Sequence, residues 1–315
     1  MNRRIAVGAA TALVIVACLI AFKPVVLGFK PYIKANAAVL LDMDSGSIWL
    51  NKNGDEPMPA ASVSKLMTEM IVLDHISAGK TRWDDRVHIS AYASTAGGVT
   101  LSLKQGESYT VRELFEGISI YSANDAALAL AEHLAGSEPS FVILMNDKAR
   151  SLGMSPATIF ANATGLPVSD VNPNRPPGQR SRETVMTAKD TARLAAALID
   201  HHPEVLGHSS RTQMQLKGKG LYVSNTNLML PAMGGAYAYE GTDGLKTGYD
   251  TRTGYCIAGT AERGGRRMIA VVMGAETRHS RFEGAASLFD YGFYKTLPAG
   301  ERMKWIMHAL GFVTG

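Results

Sequence analysis

The sequence predicts an α+β fold, one antiparallel sheet built from both ends of the chain with a helical lobe inserted between them. Three observations lead there. Strand-like apolar runs lie at 38–42 and 47–51 and again at 253–260 and 266–273. The stretch between them carries helical periodicity and capping signals. The two kinds of element do not alternate one by one, as a doubly wound parallel sheet would require. A length of 315 residues suffices for a large core, in one large domain or two small ones.

The first segment, residues 1–37, reads as a leader. Asn2-Arg3-Arg4 precedes an apolar run of 18 residues at 5–22, a positive start followed by a greasy segment. Three fates compete. Cleavage after a small-residue site at Ala35-Asn36-Ala37 would release the rest. Without cleavage, the run would stay as an anchor, with Arg3 and Arg4 on the cytoplasmic side. Ile15-Val16-Ala17-Cys18 loosely resembles a lipidation box, although Leu19-Ile20 argues against it. Each fate places the folded part outside the cytoplasm.

Charge supports this division. Residues 1–37 hold Arg3, Arg4, Lys23, Lys30 and Lys34 and no acidic group, so the remainder carries 27 basic against 28 acidic side chains. The net charge of +4 therefore belongs to the leader, and no nucleic-acid partner is expected. Of two cysteines, Cys18 lies in the leader, so the domain has no internal disulfide. Cys256, within an apolar run, is expected to pack in a strand.

The remaining elements follow in order. Residues 38–42 and 47–51 are joined by a turn carrying Asp44-Ser45-Gly46. Pro59 introduces a helix over 62–75, with Leu66, Met67, Met70, Ile71 and Leu73 along it. Thr110 and Glu113 form a capping box for a helix ending near Tyr121. Residues 124–134 and 141–152 are helical, the second stopped by Gly153. The Pro-, Asn- and Ser-rich stretch 154–185 reads as a long surface excursion. Thr187 and Asp190 open a helix to about Asp200, and His201-His202 reads as its solvated end. The runs 253–260 and 266–273 flank Arg263-Gly264-Gly265 as a hairpin, and a helix over 281–291 closes the domain at about 293. The tail, 294–315, carries Trp305, Ile306, Leu310 and Phe312 against Lys304 and His308. It forms either a short interfacial helix or a segment packed on the domain.

Three short motifs carry chemistry. In Ser62-Val63-Ser64-Lys65, positions i and i+3 of a helix share a face, so hydroxyl and amine can meet. Serine is a weak nucleophile until a base accepts its proton, and lysine serves only where burial or a nearby cation lowers its pKa. Ser122-Ala123-Asn124 sets a hydroxyl and a carboxamide two residues apart, to relay a proton and hold a peptide, or simply to cap the next helix. Lys246-Thr247-Gly248 offers a cation, a hydroxyl and a residue without a side chain for an extended ligand ending in carboxylate, or a turn before an edge strand.

Each motif is weak alone, but their order is that of the set found in penicillin-binding proteins and class A β-lactamases. The chain resembles a low-molecular-mass penicillin-binding protein, a serine D-alanyl-D-alanine carboxypeptidase of the S11 peptidase family. Further similar stretches are Ala38-Val39-Leu40-Leu41-Asp42, Pro59-Ala60-Ala61, Ser122-Ala123-Asn124-Asp125, Phe160-Ala161-Asn162-Ala163-Thr164-Gly165-Leu166, Thr187-Ala188-Lys189-Asp190 and Asp243-Gly244-Leu245-Lys246-Thr247-Gly248-Tyr249. The resemblance spans about residues 38–292 and implies the DD-peptidase/β-lactamase-like fold.

It also implies roles. Ser62 attacks the terminal D-Ala–D-Ala carbonyl and Lys65 takes its proton. Ser122 hands a proton to the leaving D-alanine, and Asn124 bonds substrate and Lys65. Lys246 and Thr247 bind the terminal carboxylate, Gly248 leaves room for the substrate beside the backbone, and the N–H groups of Ser62 and Tyr249 form the oxyanion hole. No metal or organic cofactor is implied. The implied partners are the peptidoglycan stem peptide and β-lactams as inhibitors, with membrane attachment through the leader or the tail. Asp250 stands where relatives often have Thr, and its carboxylate would oppose an anionic substrate. Arg281 either supplies compensating charge or forms a surface salt bridge.

Two rivals remain open. A β-lactamase of class A would carry an E-x-x-L-N segment, which the sequence lacks. An envelope sensor that binds penicillin or peptidoglycan without turnover would have the same motifs. A zinc peptidase would need spacing such as H-E-x-x-H, and the eight histidines do not supply it.

Overall fold

The computed structural model describes residues 30–167, 183–298 and 300–302. The expected apolar leader run, the middle of the excursion (168–182) and most of the tail lie outside the described residues. The first strand, β1 (Ala37–Asp42), is buried along its whole length, as its unbroken apolar run Ala-Ala-Val-Leu-Leu requires. It pairs with β2 (Ser47–Lys52), whose outer face is exposed. The small strand β3 (Met58–Pro59) and a single 3-10 turn (Ala61–Ser64) lead into helix α1 (Lys65–Ser77). The sequence placed Ser62 in the helix itself; it lies in the tighter turn before it.

A helical lobe follows. It comprises β4 (Arg86–His88), the short α2 (Ala91–Ser94), β5 (Ser108–Thr110), α3 (Val111–Glu116) with a π-helical turn (Gly117–Tyr121), α4 (Asn124–Ala135) and α5 (Glu138–Ser151). The Thr110–Glu113 capping box forms as expected. Helix α4 is buried on all sides from Asn124 to Ala131, which suits its Ala/Leu composition and makes it the axis of the lobe.

The chain returns to the sheet through β6 (Val185–Met186), α6 (Ala188–His201) and α7 (Val205–Ser209). Thr187 caps α6 by accepting the Asp190 N–H. His202 is a correction: it is buried, and its Nε2 lies 2.9 Å from Asp74 Oδ1 rather than in solvent. The hairpin β7 (Gln213–Leu216) and β8 (Leu221–Ser224), unforeseen in the sequence, precedes β9 (Thr242–Asp250), β10 (Gly254–Arg263) and β11 (Arg266–Ala275). Helix α8 (Arg278–Thr296) starts earlier than expected because Thr277 caps it, and it runs past the expected domain limit at 293.

The five strands order β2-β1-β11-β10-β9, all antiparallel. Alternation along the central pair divides the core in two. Val39, Leu41, Ile269, Val271 and Met273 face the helical lobe, whereas Ala38, Leu40, Met268, Ala270 and Val272 pack with Phe282, Leu288 and Phe289 of α8. Each such large side chain contributes about 1.5–3 kcal/mol by leaving water. Arg266 closes the sheet's far end on buried Asp42, with Nε–Oδ1 at 2.9 Å and Nη2–Oδ2 at 2.6 Å.

Candidate active site

The three motifs meet where the lobe abuts the sheet edge. The turn carrying Ser62 packs against β9, the strand of the third motif. A Cβ on Gly248 would stand 3.1 Å from the N atoms of Ser62 and Val63, a tight contact that glycine avoids where the two backbones approach. From the other side comes the loop at Asn162–Gly165. Asn162 Oδ1 accepts the N–H groups of Thr164 (3.0 Å) and Gly165 (2.6 Å), curling the loop toward α1. Gly165 has φ +76°, and a Cβ there would lie 2.0 Å from the Ala61 carbonyl oxygen. The expected surface excursion is thus buried at Asn162, Ala163 and Thr164.

Lys65 is fully buried, and its Nζ has three neighbours: Ser62 Oγ at 3.0 Å, Asn124 Oδ1 at 2.6 Å and the Thr164 carbonyl at 2.7 Å. Two of these are pure acceptors. As a neutral amine, Lys65 satisfies both with its own hydrogens and keeps its lone pair for the Ser62 hydroxyl. Burial, and then the nearby Lys246 cation, drives Lys65 well below the usual lysine range, against the pull of Glu69 and Asp125. The geometry therefore suits a base that takes the serine proton.

Asn124 is fixed at both ends, its Nδ2 donating to the Gly97 carbonyl at 2.7 Å. It does not cap α4, whose N-cap is Ala123 without a side-chain bond. Asp125 beside it accepts from Leu101 N (3.1 Å) and Leu103 N (3.0 Å), holding the segment that follows Gly98 and Val99 of the cleft lining. Ser122 adopts φ +69°, a left-handed conformation rare for serine, and its buried Oγ has no hydrogen-bond partner among the described residues. That leaves the hydroxyl free for a ligand.

The third motif is a correction in place. Lys246, Thr247 and Gly248 lie inside edge strand β9, paired with β10, and not at a turn before it. Lys246 is buried, with burial pulling it down to about 8, Glu69 opposing and Arg281 assisting. Thr247 Oγ1 donates to Thr226 Oγ1 at 2.7 Å. Arg281 is buried and, among the described residues, forms no salt bridge. Its Nη1 donates to the carbonyls of Gly248 (3.1 Å) and Cys256 (3.3 Å), and its guanidinium lies 4.4 Å from the Phe282 ring centre. Burial pushes Arg281 down to about 10.

Asp250 does not present an open negative charge. Arg252 grips it with Nε–Oδ1 at 3.1 Å and Nη2–Oδ2 at 2.9 Å, and it sits below the usual carboxylate range because these bonds outweigh burial. Tyr249 is half exposed, its ring 4.4 Å from that of Tyr255. Cys256 is buried and unpaired, as expected of strand packing, and burial raises its thiol to about 11.

Ser62, Ser122, Asn124, Thr247, Gly248, Tyr249 and Arg281 all line one cleft of about 630 Å³, with Lys65 and Lys246 buried beside it. Sequence reasoning missed Thr226, which joins the lining, and the carbonyls of Gly97 and Thr164. It also missed Glu69, a buried acid on α1 among apolar neighbours. The one visible signal was that charge between the apolar pairs Leu66-Met67 and Met70-Ile71.

Comparison with known proteins agrees with this geometry. The family model described as D-alanyl-D-alanine carboxypeptidase, peptidase S11, matches residues 26–277. The carboxypeptidase DacF of Bacillus subtilis is 35% identical over 273 residues, covering 85% of this chain and 65% of that protein. DacC of Escherichia coli is 34% identical over 269 residues, covering 84% and 62%. The chain thus spans a little under two thirds of these relatives' lengths. Among solved structures, penicillin-binding protein D2 of Listeria monocytogenes in its ampicillin-bound form superposes with a TM-score of 0.72 at 36% identity. That match covers 83% of this chain and 98% of the other. PBP3 of Streptococcus pneumoniae gives 0.76 at 31% identity, covering 84% and 74%. With four-fifths of its length matched by the family model and its three motifs gathered in one cleft, the chain belongs to the D-alanyl-D-alanine carboxypeptidase family of S11 peptidases.

Proposed function

We propose that the protein is a serine D-Ala-D-Ala carboxypeptidase that removes the terminal D-alanine from peptidoglycan stem pentapeptides. The observation that carries this reading is the 3.0 Å contact between Lys65 Nζ and Ser62 Oγ, made by a buried lysine whose other two neighbours are acceptors. Ser62 Oγ attacks the carbonyl carbon of the penultimate D-alanine as its proton passes to Lys65. The oxyanion forms beside the N–H groups of Ser62 and Tyr249. Collapse breaks the peptide C–N bond, and Ser122 relays the proton held by Lys65 to the departing amine, leaving both groups as they began. Water then cleaves the Ser62 ester, returning the hydroxyl and releasing the shortened peptide.

Asn124 keeps Lys65 in place and bonds the substrate amide. Lys246, Thr247 and Arg281 supply the positive wall for the terminal carboxylate, Arg281 acting from behind Gly248. A β-lactam would acylate Ser62 and stay attached, in keeping with the ampicillin-bound relative. The pairing of Asp250 with Arg252 removes the reason for preferring a non-turning-over sensor. The proposal includes an extracytoplasmic site of action facing the wall. It takes residues 38–293 as the catalytic unit, the leader as signal or anchor, and the tail as a second candidate for membrane attachment. Among the described residues, no helix is long and apolar enough to cross a membrane.

The test is D-alanine release from a synthetic stem pentapeptide by the protein and its Ser62→Ala variant. Release by the wild type alone supports the reading. Undiminished release by the variant overturns the nucleophile. Penicillin labelling of Ser62 without release returns the sensor.

A further inference from the structure

Glu69 is an acid that the reaction just described does not use. It lies one turn beyond Lys65 on α1, is 1% exposed, and its Oε1 has no hydrogen-bond partner among the described residues. An isolated buried carboxylate with an unfilled oxygen is costly, and a helix position among Leu66, Met70 and Ile71 would be filled more stably by a hydrophobe. Its surroundings are cationic. Lys65 on the same helix and Lys246 on β9, both fully buried, act on it electrostatically, and Arg281 on α8 adds to the positive field at Lys246. Asp125 on α4 is the other acid that acts on Lys65, but its oxygens are taken by the N–H groups of Leu101 and Leu103.

Taking Ser62, Lys65 and Lys246 in the roles proposed above, we infer that Glu69 is a positioning residue whose carboxylate balances the two buried lysines, keeping Lys246 charged for the substrate while Lys65 is neutral. Two ammonium groups in one dry site repel each other, and the first to lose its proton must be Lys65 for the serine to be activated. A carboxylate shared between them stabilises the cation that remains. Burial holds Glu69 itself up at about 7, against the pull of Lys246 and Lys65.

The experiment is a Glu69→Gln variant of the full chain, beside Glu69→Asp and Ser62→Ala, assayed from pH 5 to 10 for acylation by a fluorescent penicillin and for D-alanine release. Glutamine keeps the shape and removes the charge, so both lysines should deprotonate at lower pH. Both limbs of the rate profile should move to acid by about one pH unit. At pH 8.5, KM for the pentapeptide should rise about tenfold, with kcat changed less. Glu69→Asp should restore part of the shift. A profile lowered uniformly, with both limbs in place and a reduced Tm, would make Glu69 merely structural and overturn the inference. Undiminished acylation of Ser62→Ala would instead overturn the underlying reading.

Discussion

Thr226 and Thr247 share a hydrogen bond, their hydroxyl oxygens 2.7 Å apart across the rim of the cleft. Thr226 belongs to the loop after β8, and its own N–H donates to the Ile120 carbonyl at 3.1 Å, next to the turn that presents Ser122. One short contact therefore ties strand β9 to the opposite wall. Thr226→Val removes it at nearly constant volume. We expect KM for the pentapeptide to rise about threefold to tenfold, the effect of one misoriented hydroxyl, with kcat changed less and Tm nearly unaltered. Steady-state kinetics decide it, and an unchanged KM would show that Thr247 orients itself.

Asp250 makes a second prediction. Its charge faces the cleft but is held by Arg252, which also contacts Glu183. Arg252→Ala should release an acidic field toward the incoming carboxylate. KM should rise several-fold at low ionic strength, and added salt should reduce the difference. Arg252→Ala combined with Asp250→Thr should recover most of the loss. Failure of that double variant to recover would assign Arg252 a direct contact with substrate.

Gly165→Ala addresses the nucleophile turn. The added methyl would meet the Ala61 carbonyl at 2.0 Å and Ser64 Oγ at 2.1 Å, in a left-handed conformation that alanine resists. Overpacking of this kind costs about 3 kcal/mol, so Tm should fall by several degrees. Penicillin acylation should fall more than folding alone explains, because Ala61 is the neighbour of Ser62. Normal acylation in the folded fraction would show that the loop does not set the serine.

The acid limb of stability is the last. Burial alone would raise the Asp42 carboxyl, but Arg266 and Ser45 hold it below the usual range. A depressed carboxylate adds stability above its unfolded pKa of about 4, lost as pH falls through the lower folded value. Thermal melts should therefore show Arg266→Gln less stable than wild type at pH 7, with the two converging toward pH 2. A difference that persists there would assign the loss to packing on Trp49, whose ring centre is 5.1 Å from the guanidinium.

Local signals in the sequence proved dependable. The Thr110–Glu113 box, the Thr187 cap and the Ser62–Lys65 spacing each depend on a few neighbouring residues, and each appears in the structure. What the sequence hid depends on distant partners. Strand β9 contains Gly244, Lys246 and Gly248 and shows no alternation, because the lobe covers it; burial, not propensity, makes it a strand. Asn162 sits in a polar stretch that reads as surface, yet its carboxamide turns inward to bond its own loop. His202 looked like a solvated helix end because Asp74, which holds it, lies on another helix. The cleft was legible as three motifs, while Thr226 and Glu69 became visible only once strands and helices were placed side by side.

The pairing of Ala37 with Met273, along with the rest of β1 against β11, sets a schedule for the chain. Strand β1 is made before its partner β11, the central strand of the five, so the sheet has no centre until the later strand follows. Contacts this remote form slowly and keep the chain open to chaperones meanwhile. The same order delays the cleft: Lys246 reaches the turn of Ser62 only with the later strands, so a half-made molecule carries Ser62 without its neighbour.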